Sequence, residues 1–300
     1  MYRREREISL DSPILVMGME GWIDAGFGAM NAMAAVRQSI ETEPVITFDG
    51  DLLLDYRSRR PTMRIENGIN TGLTWPTIEL RAGRDAAGND VLLLVGPEPD
   101  QQWRAFTTAV CELASSFGVR LAVGLGAFPG PAPHTRPVRL SATATTPELA
   151  SHIGFMPGVI EVPSGIHGAL ERGLDLVGIP AVGVWARVPM YVAGSAYPAA
   201  SVALVEALSR LTGLSVDLSE LRAAEELARQ RIDQLIAQSG EHLTMVAGLE
   251  QQADAEATET ESSPLTADNL PSGDEIAAEL ERFLRGEGGQ PGQGGDFPQR

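Results

Sequence analysis

The sequence contains no lysine, so all 23 of its cationic side chains are arginines. Without lysine the chain cannot form a lysine Schiff base, hold a phosphate with a P-loop lysine or use a lysine as general base. Two explanations of this absence are open. One is codon bias in a GC-rich genome, and the other is loss of lysines in a protein that works near machinery that tags them.

Cysteine and long apolar runs are also scarce. The single cysteine, Cys111, excludes an intramolecular disulfide, and its apolar helical surroundings favour a buried, unreactive thiol over a nucleophile. No apolar run reaches the ~20 residues that a membrane-spanning helix needs. The charged stretch MYRREREISLDSP lacks the apolar segment of a signal peptide. We therefore expect a cytoplasmic protein that has no membrane partner.

Positive charge is in short supply, because the formal net charge is -17. Nucleic acids and anionic membranes both bind clusters of positive charge, so we expect neither as a partner. The charge is unevenly distributed, since 12 acidic and 3 basic residues lie from Glu250 onward. This C-terminal stretch therefore carries about half of the net charge, and the rest of the chain is only mildly acidic.

What the sequence does contain is an alternation of short apolar runs and amphipathic stretches, which is typical of α/β proteins. A buried strand over Ile14–Met17 leads through a glycine-rich loop into an alanine-rich helix from Ala25 to Val36. Similar units begin near Val91, Leu121, Val159 and Ala181. Four strand-like segments, beginning at Val45, Leu52, Met63 and Thr77, interrupt the alternation and indicate hairpins or a mixed sheet. The pattern predicts an α/β fold with a mainly parallel or mixed central sheet.

Several side chains with useful chemistry follow the ends of the predicted strands. Loops at the carboxyl ends of the strands usually form the ligand site of an α/β sheet, so these residues are expected to share one cleft. The candidates are Glu20, Trp22, Asp24, Glu98, Asp100, Trp103, His134 and Arg136. Catalytic roles among them stay unassigned.

Structural roles compete with chemical ones at these positions. Asp24 could cap the helix that follows it, and Asp100 could cap a helix from Gln101 to Phe117. Glu98 lies between two prolines and has no evident capping role, so it is the better candidate for function. The tryptophans suit packing in the core or an interface, or a wall on which a ligand stacks.

Known cofactor, metal and nucleophile motifs are not found. Gly18, Gly21, Gly26 and Gly28 do not have the G-x-G-x-x-G spacing, and no Gly-Lys-Ser/Thr follows them. The four histidines and the cysteine have no metal-ligand spacing. Ser164 lacks the G-x-S-x-G frame of a nucleophile elbow. We therefore expect neither a cofactor nor a metal.

The sequence pattern of the C-terminal third predicts helices followed by a polar tail. An amphipathic helix is indicated over residues 219–239, with its apolar side against the body or another subunit. We expect an α/β domain over residues 1–215, C-terminal helices over 216–250 and an acidic, largely disordered tail over 251–300. A short amphipathic helix is indicated near residues 273–285 of that tail.

Five segments occur in order between Pro13 and Leu211. They are MEGWIDAG from Met19, FDGDLLLDYRSRRP from Phe48, VGPEPDQQWRAF from Val95, LGAFPGPAPHTRP from Leu125, and GIPAVGVWARVPMYVAG from Gly178. Together they resemble the proteasome assembly chaperone two family in its actinobacterial branch. The resemblance implies a three-layer fold similar to that of nucleoside phosphorylases and peptidyl-tRNA hydrolases. It also implies a homo-oligomer, with a trimer suggested by fold analogy.

The resemblance further implies a function through protein contacts. Eukaryotic relatives assist proteasome assembly by such contacts, whereas the bacterial branch has no established catalytic activity. Where relatives often read Pro-His-Tyr, this chain has Met190 between Pro189 and Tyr191, so a candidate acid or base is lost. The main hypothesis is a non-enzymatic, assembly-chaperone-like protein. The alternative is a small-molecule-binding protein or a hydrolase- or phosphorylase-like enzyme that uses the cleft at the strand ends.

Overall fold

The computed structural model describes residues 1–262. Ten strands are present in that part of the chain, and eight of them form one central sheet. The strands are β1 (Tyr2–Arg4), β2 (Ile14–Glu20), β3 (Thr42–Phe48), β4 (Thr62–Glu66), β5 (Ile69–Thr74), β6 (Glu79–Arg84), β7 (Asp90–Pro97), β8 (Leu121–Gly130), β9 (Leu140–Ala144) and β10 (Ala181–Pro189). The strand order in the sheet is β1-β3-β6-β7-β2-β8-β10-β9, while β4 and β5 pair only with each other among these ten strands.

The four central strands of the sheet, β7, β2, β8 and β10, are parallel. Antiparallel strands flank them, with β6, β3 and β1 on one side and β9 on the other. Parallel neighbours need crossover connections, which helices provide here. The predicted α/β class and mixed sheet are confirmed, and the carboxyl ends of the four parallel strands lie along one edge.

Helices cover both faces of the sheet. They are α1 (Gly28–Ser39), α2 (Gly50–Leu53), α3 (Trp103–Ser116), α4 (Pro147–Ile153), α5 (Ile166–Leu176), α6 (Pro198–Thr212), α7 (Ser219–Ile236) and α8 (Gly240–Ser262). Side chains of β2 point alternately to the two faces of the sheet and contribute to a hydrophobic core on each. Ile14 and Val16 pack with α1 and α6 on one face. Leu15 and Met17 pack with α3 and α5 on the other face. The result is the predicted three-layer arrangement.

Three local predictions differ from the structure. The strand predicted from Leu52 is instead the short helix α2, because the Asp49 side chain accepts a hydrogen bond from the Asp51 N–H and starts a helical turn. The strand predicted from Val159 is absent, and residues 154–165 form no regular element. Strand β9 was not predicted, because its five residues LSATA include only one large apolar side chain and give a weak strand signal.

The C-terminal helices continue past the predicted start of the tail. Ile232 and Ile236 of α7 are buried in the same core as α6, so the apolar side of α7 faces the body. Two compact units are distinguished, Met1–Glu250 and a second unit that begins at Gln251. We expected disorder from Gln251, but α8 runs to Ser262. The helix predicted near residues 273–285 lies outside the described residues.

No helix within residues 1–262 combines the length and the apolar character that crossing a membrane requires.

Candidate functional site

The loop after β2 uses its aspartate to start a helix. The backbone N–H of Ala29 donates to one carboxylate oxygen of Asp24 (2.8 Å), and that of Met30 donates to the other (2.9 Å). Phe27 has the left-handed φ of 52°, so the chain turns sharply between the aspartate and α1. Burial raises the pKa of Asp24 above its ordinary value, while these N–H groups oppose the rise. Both carboxylate oxygens of Asp24 therefore accept hydrogen bonds from the first turn of α1.

The loop after β7 uses Glu98 in a similar way. Glu98 Oε2 accepts a hydrogen bond from the backbone N–H of Ile166 (3.0 Å), the first residue of α5. Trp22 lies at the same place, because a Cβ added to Gly165 would contact both the Glu98 carboxylate and the indole of Trp22. The predicted functional carboxylate thus supports the start of a helix, a role that its prolyl surroundings did not indicate.

Trp22, Asp24 and Glu98 share one small cavity with His167 and Trp185. Its volume is only about 20 Å³, which is room for roughly one water molecule. Burial lowers the pKa of His167 to about 4, so this imidazole is neutral at physiological pH. A substrate does not fit this cavity without rearrangement of the loops that form it.

Asp100 and Trp103 do not line this cavity. The Asp100 carboxylate accepts from the Asp55 N–H (2.8 Å) and pairs with Arg59 Nε at 3.4 Å. It therefore fixes the turn after α2, and the predicted cap of α3 is wrong, because Gln102 is the N-cap and makes no side-chain cap. Trp103 Nε1–H donates to the Pro99 carbonyl, which holds the ring on its own loop.

His134 and Arg136 lie at another cavity of about 280 Å³, which shares no lining residue with the first. His134 is buried, and its Nδ1 lies 2.7 Å from the Tyr191 hydroxyl while its Nε2 lies 2.9 Å from Asp233 Oδ1. The Tyr191 oxygen also accepts from the His134 backbone N–H (2.8 Å). Both ring nitrogens of His134 therefore have a hydrogen-bonding partner, the Tyr191 hydroxyl at Nδ1 and the Asp233 carboxylate at Nε2.

The surroundings of this histidine join the β8–β9 loop to the C-terminal helices. Asp233 is on α7, and Glu250 on α8 forms an ion pair with Arg136 at 3.3 Å and accepts from the Thr135 hydroxyl. Burial raises the pKa of Tyr191, so its hydroxyl stays protonated. The group is a polar contact between a loop and two helices, with every hydrogen-bonding position of the His134 ring occupied.

Glu20, the last residue of β2, faces neither cavity. It lies in the wall of two larger cavities, of about 390 and 400 Å³, between the start of α1 and the segment before β6. The expected single cleft is therefore divided. The structure brings Trp22, Asp24 and Glu98 together, and Glu20 lies beside them, because its carbonyl accepts from the Glu98 N–H and it shares the 400 Å³ cavity with Asp24. His134 and Arg136 lie together elsewhere, and Asp100 and Trp103 line neither the cavity of Trp22, Asp24 and Glu98 nor that of His134.

Sequence reasoning missed the partners that define these roles. They are His167, Tyr191, Asp233 and Glu250, which come from four different elements. No spacing in the sequence connects them, although Tyr191 lies in a segment that carries the family resemblance. Among residues 1–262 there is no cluster of three or more His, Cys, Asp or Glu side chains that could hold a metal ion.

These observations define an α/β protein with a mixed eight-stranded sheet, in which backbone and side-chain donors engage the strand-end carboxylates of Asp24, Glu98 and Asp100. The PAC2 family model matches residues 18–236, and the chain belongs to this family. The family resemblance seen in the five sequence segments is thereby confirmed.

Solved structures show the same relationship. A Mycobacterium tuberculosis protein of unknown function is 38% identical, covers 86% of this chain and 92% of its own, and has a TM-score of 0.79. A Corynebacterium glutamicum protein of unknown function is 30% identical over 86% of this chain and 98% of its own, also with a TM-score of 0.79. A proteasome-assembly chaperone homologue from M. tuberculosis is 33% identical over 78% of this chain and 99% of its own, with a TM-score of 0.72. A search of curated proteins gave no match.

Proposed function

We propose that this protein is a chaperone-like interaction protein that self-associates and binds a partner protein through its α/β body. The observation that carries the proposal is the β4–β5 hairpin, a two-stranded sheet that pairs with no other strand of residues 1–262. All of its strand residues are exposed. An isolated hairpin is marginally stable in water, so an exposed one of this kind gains stability from a surface that packs on it.

One face of the hairpin supplies the apolar contact surface. Met63 and Leu73 are cross-strand partners, and Ile65 follows Met63 on the same face because side chains alternate along a strand. These three side chains are 50%, 47% and 58% exposed. Large apolar side chains grouped on an exposed face are typical of protein–protein contact sites. We call Met63, Ile65 and Leu73 the hairpin face.

The rival reading, an enzyme that uses the strand-end cleft, draws less support. Asp24 and Glu98 are held by backbone N–H groups, and the cavity they share admits about one water molecule. Because the related M. tuberculosis protein is described as a proteasome-assembly chaperone homologue, proteasome subunits of the same host are the first partners to test. The trimer suggested by fold analogy and the cytoplasmic location stay predictions.

The test is sedimentation velocity of the full chain, alone and mixed with purified proteasome subunits. The double variant Met63→Thr/Leu73→Thr keeps residues with high strand propensity but removes the apolar surface. Ile69→Thr is the matched control, since Ile69 is 66% exposed and pairs with Glu66 on the opposite face.

We expect the wild type and Ile69→Thr to sediment as assemblies and the double variant to sediment as a smaller species. A monomeric wild type that also leaves the subunits unbound would refute the proposal.

A further inference from the structure

A groove runs along the carboxyl ends of β2 and β7. The two cavities of about 390 and 400 Å³ share Glu20, Arg37, Val95 and Gly96 in their walls, so they form one continuous depression. We call it the β2–β7 groove. Its two halves differ in chemistry, because arginines line one end and apolar side chains of α1 line the other.

The cationic end contains Arg37, Arg59 and Arg60, with Trp75 beside them. Arg59 forms an ion pair with Asp100. Within residues 1–262, neither Arg37 nor Arg60 forms an ion pair or a side-chain hydrogen bond with another residue. Two guanidinium groups in one cavity are thus available to an anion, in a chain whose net charge is -17.

The carboxylates of the same cavity do not neutralise these arginines. The Glu79 carboxylate forms an ion pair with Arg81 at 2.7 Å, so Arg81, and not a groove arginine, neutralises its charge. Glu20 is exposed and forms no ion pair with the groove arginines in the described part of the chain. Within residues 1–262, the groove therefore has two unpaired cations at one end and the unpaired Glu20 carboxylate at the junction of the two halves. The Asp24 carboxylate lines the other end, where it accepts from the Ala29 and Met30 N–H groups.

The apolar end is formed by the first turns of α1. Phe27, Met30 and Met33 line it, and Phe27 and Met30 are large apolar side chains that remain exposed. Methionine side chains are flexible and polarizable, so they adapt to apolar groups of different shape. A ligand that fills both ends must carry a negatively charged group for the cationic end and, close to it, an apolar group for the other end.

We propose that the β2–β7 groove binds an acidic segment of a partner protein, with carboxylates at Arg37 and Arg60 and an apolar side chain against Phe27 and Met30. This inference rests on the proposed function, because it names the chemistry of the partner. The planar guanidinium group matches a carboxylate with two parallel hydrogen bonds. The apolar end has no counterpart in a phosphate backbone, which favours a peptide over a nucleic acid.

The position of the groove also suits a protein partner. Arg60 is separated from the start of the hairpin at Thr62 only by Pro61, and Trp75 immediately follows the hairpin. The cationic end therefore lies at the base of the hairpin. A partner that packs on the hairpin face can extend an acidic segment into the groove, so that one binding event uses both surfaces.

The test is fluorescence anisotropy of the full chain with three short fluorescein-labelled peptides. The first alternates glutamate and leucine, the second replaces glutamate by glutamine, and the third replaces leucine by serine. We expect saturable binding of the first peptide and about tenfold weaker binding of each of the others. Equal binding of the three peptides, no binding, or tighter binding of a labelled uridine oligonucleotide would overturn the inference.

Variants locate the binding in the groove. Arg37→Gln/Arg60→Gln should weaken the glutamate–leucine peptide about tenfold, since each exposed pair contributes up to about 1 kcal/mol. Arg57→Gln should have no effect, because Arg57 is exposed on the same turn but does not line the groove. Met30→Ser should also weaken binding, and Met190→Ser, an exposed methionine elsewhere, should not. Unchanged binding in both groove variants would overturn the assignment.

The two proposals fail separately. Loss of assembly in Met63→Thr/Leu73→Thr together with no peptide binding would leave the hairpin as a contact surface and refute the groove as a peptide site. Specific peptide binding lost in Arg37→Gln/Arg60→Gln, in a chain that neither self-associates nor binds subunits, would support the groove and refute the role of the hairpin.

Discussion

The Glu98 carboxylate accepts a hydrogen bond from the backbone N–H of Ile166, which connects the loop after β7 to the start of α5. The two residues are 68 positions apart in the sequence. A negative group at this end of a helix also interacts favourably with the helix dipole. The side chain with the strongest sequence case for chemistry thus has a structural role that explains its fixed position.

Replacing Glu98 with alanine should reduce the free energy of unfolding by about 1 to 2 kcal/mol, because the Ile166 N–H loses its acceptor. Glu98→Gln should cost less, since its amide oxygen can still accept the bond. Urea unfolding followed by circular dichroism measures both. Wild-type stability of Glu98→Ala would contradict the capping role.

Asp24 and Glu20 should respond differently to the same substitution. Asp24→Ala leaves the N–H groups of Ala29 and Met30 without an acceptor, so we expect a loss of about 1 to 2 kcal/mol. Glu20→Ala is the matched control, because the Glu20 carboxylate accepts no hydrogen bond within residues 1–262. Thermal and urea unfolding of the two variants should differ by that amount, and equal stabilities would contradict the assignment.

Tyr191 should stabilise the contact of the C-terminal helices with the body. Tyr191→Phe removes the hydroxyl that accepts from the His134 N–H and contacts Nδ1, which should cost about 1 to 2 kcal/mol. Hydrogen exchange should also rise in α7, because His134 binds Asp233 on that helix. Tyr2→Phe serves as control, since the Tyr2 ring packs on Phe48 at the sheet edge. Unchanged exchange in α7 would argue against this connection.

His167 should make stability depend on pH. Burial lowers its pKa from the ordinary 6.5 to about 4, so the unfolded chain binds a proton at higher pH than the folded chain. Its contribution is complete above about pH 6.5 and is lost as the pH falls towards about 4, by up to about 3 kcal/mol. His167→Gln should therefore show a shallower decline of unfolding free energy over this range. Parallel pH profiles for the wild type and the variant would contradict the burial of a neutral imidazole.

The layered fold could be predicted because its signals are local. Runs such as Ile14–Met17 and Val91–Val95 are buried strands, and the alanine-rich stretch after Ala25 begins α1 close to where expected. The strand prediction from Val159 was wrong, because the valines and the isoleucine of this segment are typical of strands. In the structure these side chains are exposed in an irregular loop.

The candidate site could be predicted only in part, because its partners are not local. The sequence placed Asp24, Glu98 and His134 in strand-end loops, which is where they lie. It could not show that Glu98 meets Ile166 or that His134 meets Asp233, since those contacts depend on how α5 and α7 pack. The sequence predicted the strand from Met63, but β5 and the exposure of the hairpin required the structure.

The central claim is that the hairpin face contacts other protein molecules, and hydrogen exchange of the hairpin tests it most directly. Amide exchange of residues 62–74 can be followed by mass spectrometry at high protein concentration, at low concentration and with added proteasome subunits. Our account predicts slower exchange of this segment at high concentration or with subunits, and loss of that protection in Met63→Thr/Leu73→Thr but not in Ile69→Thr. Fast exchange of the hairpin under every condition would contradict the account.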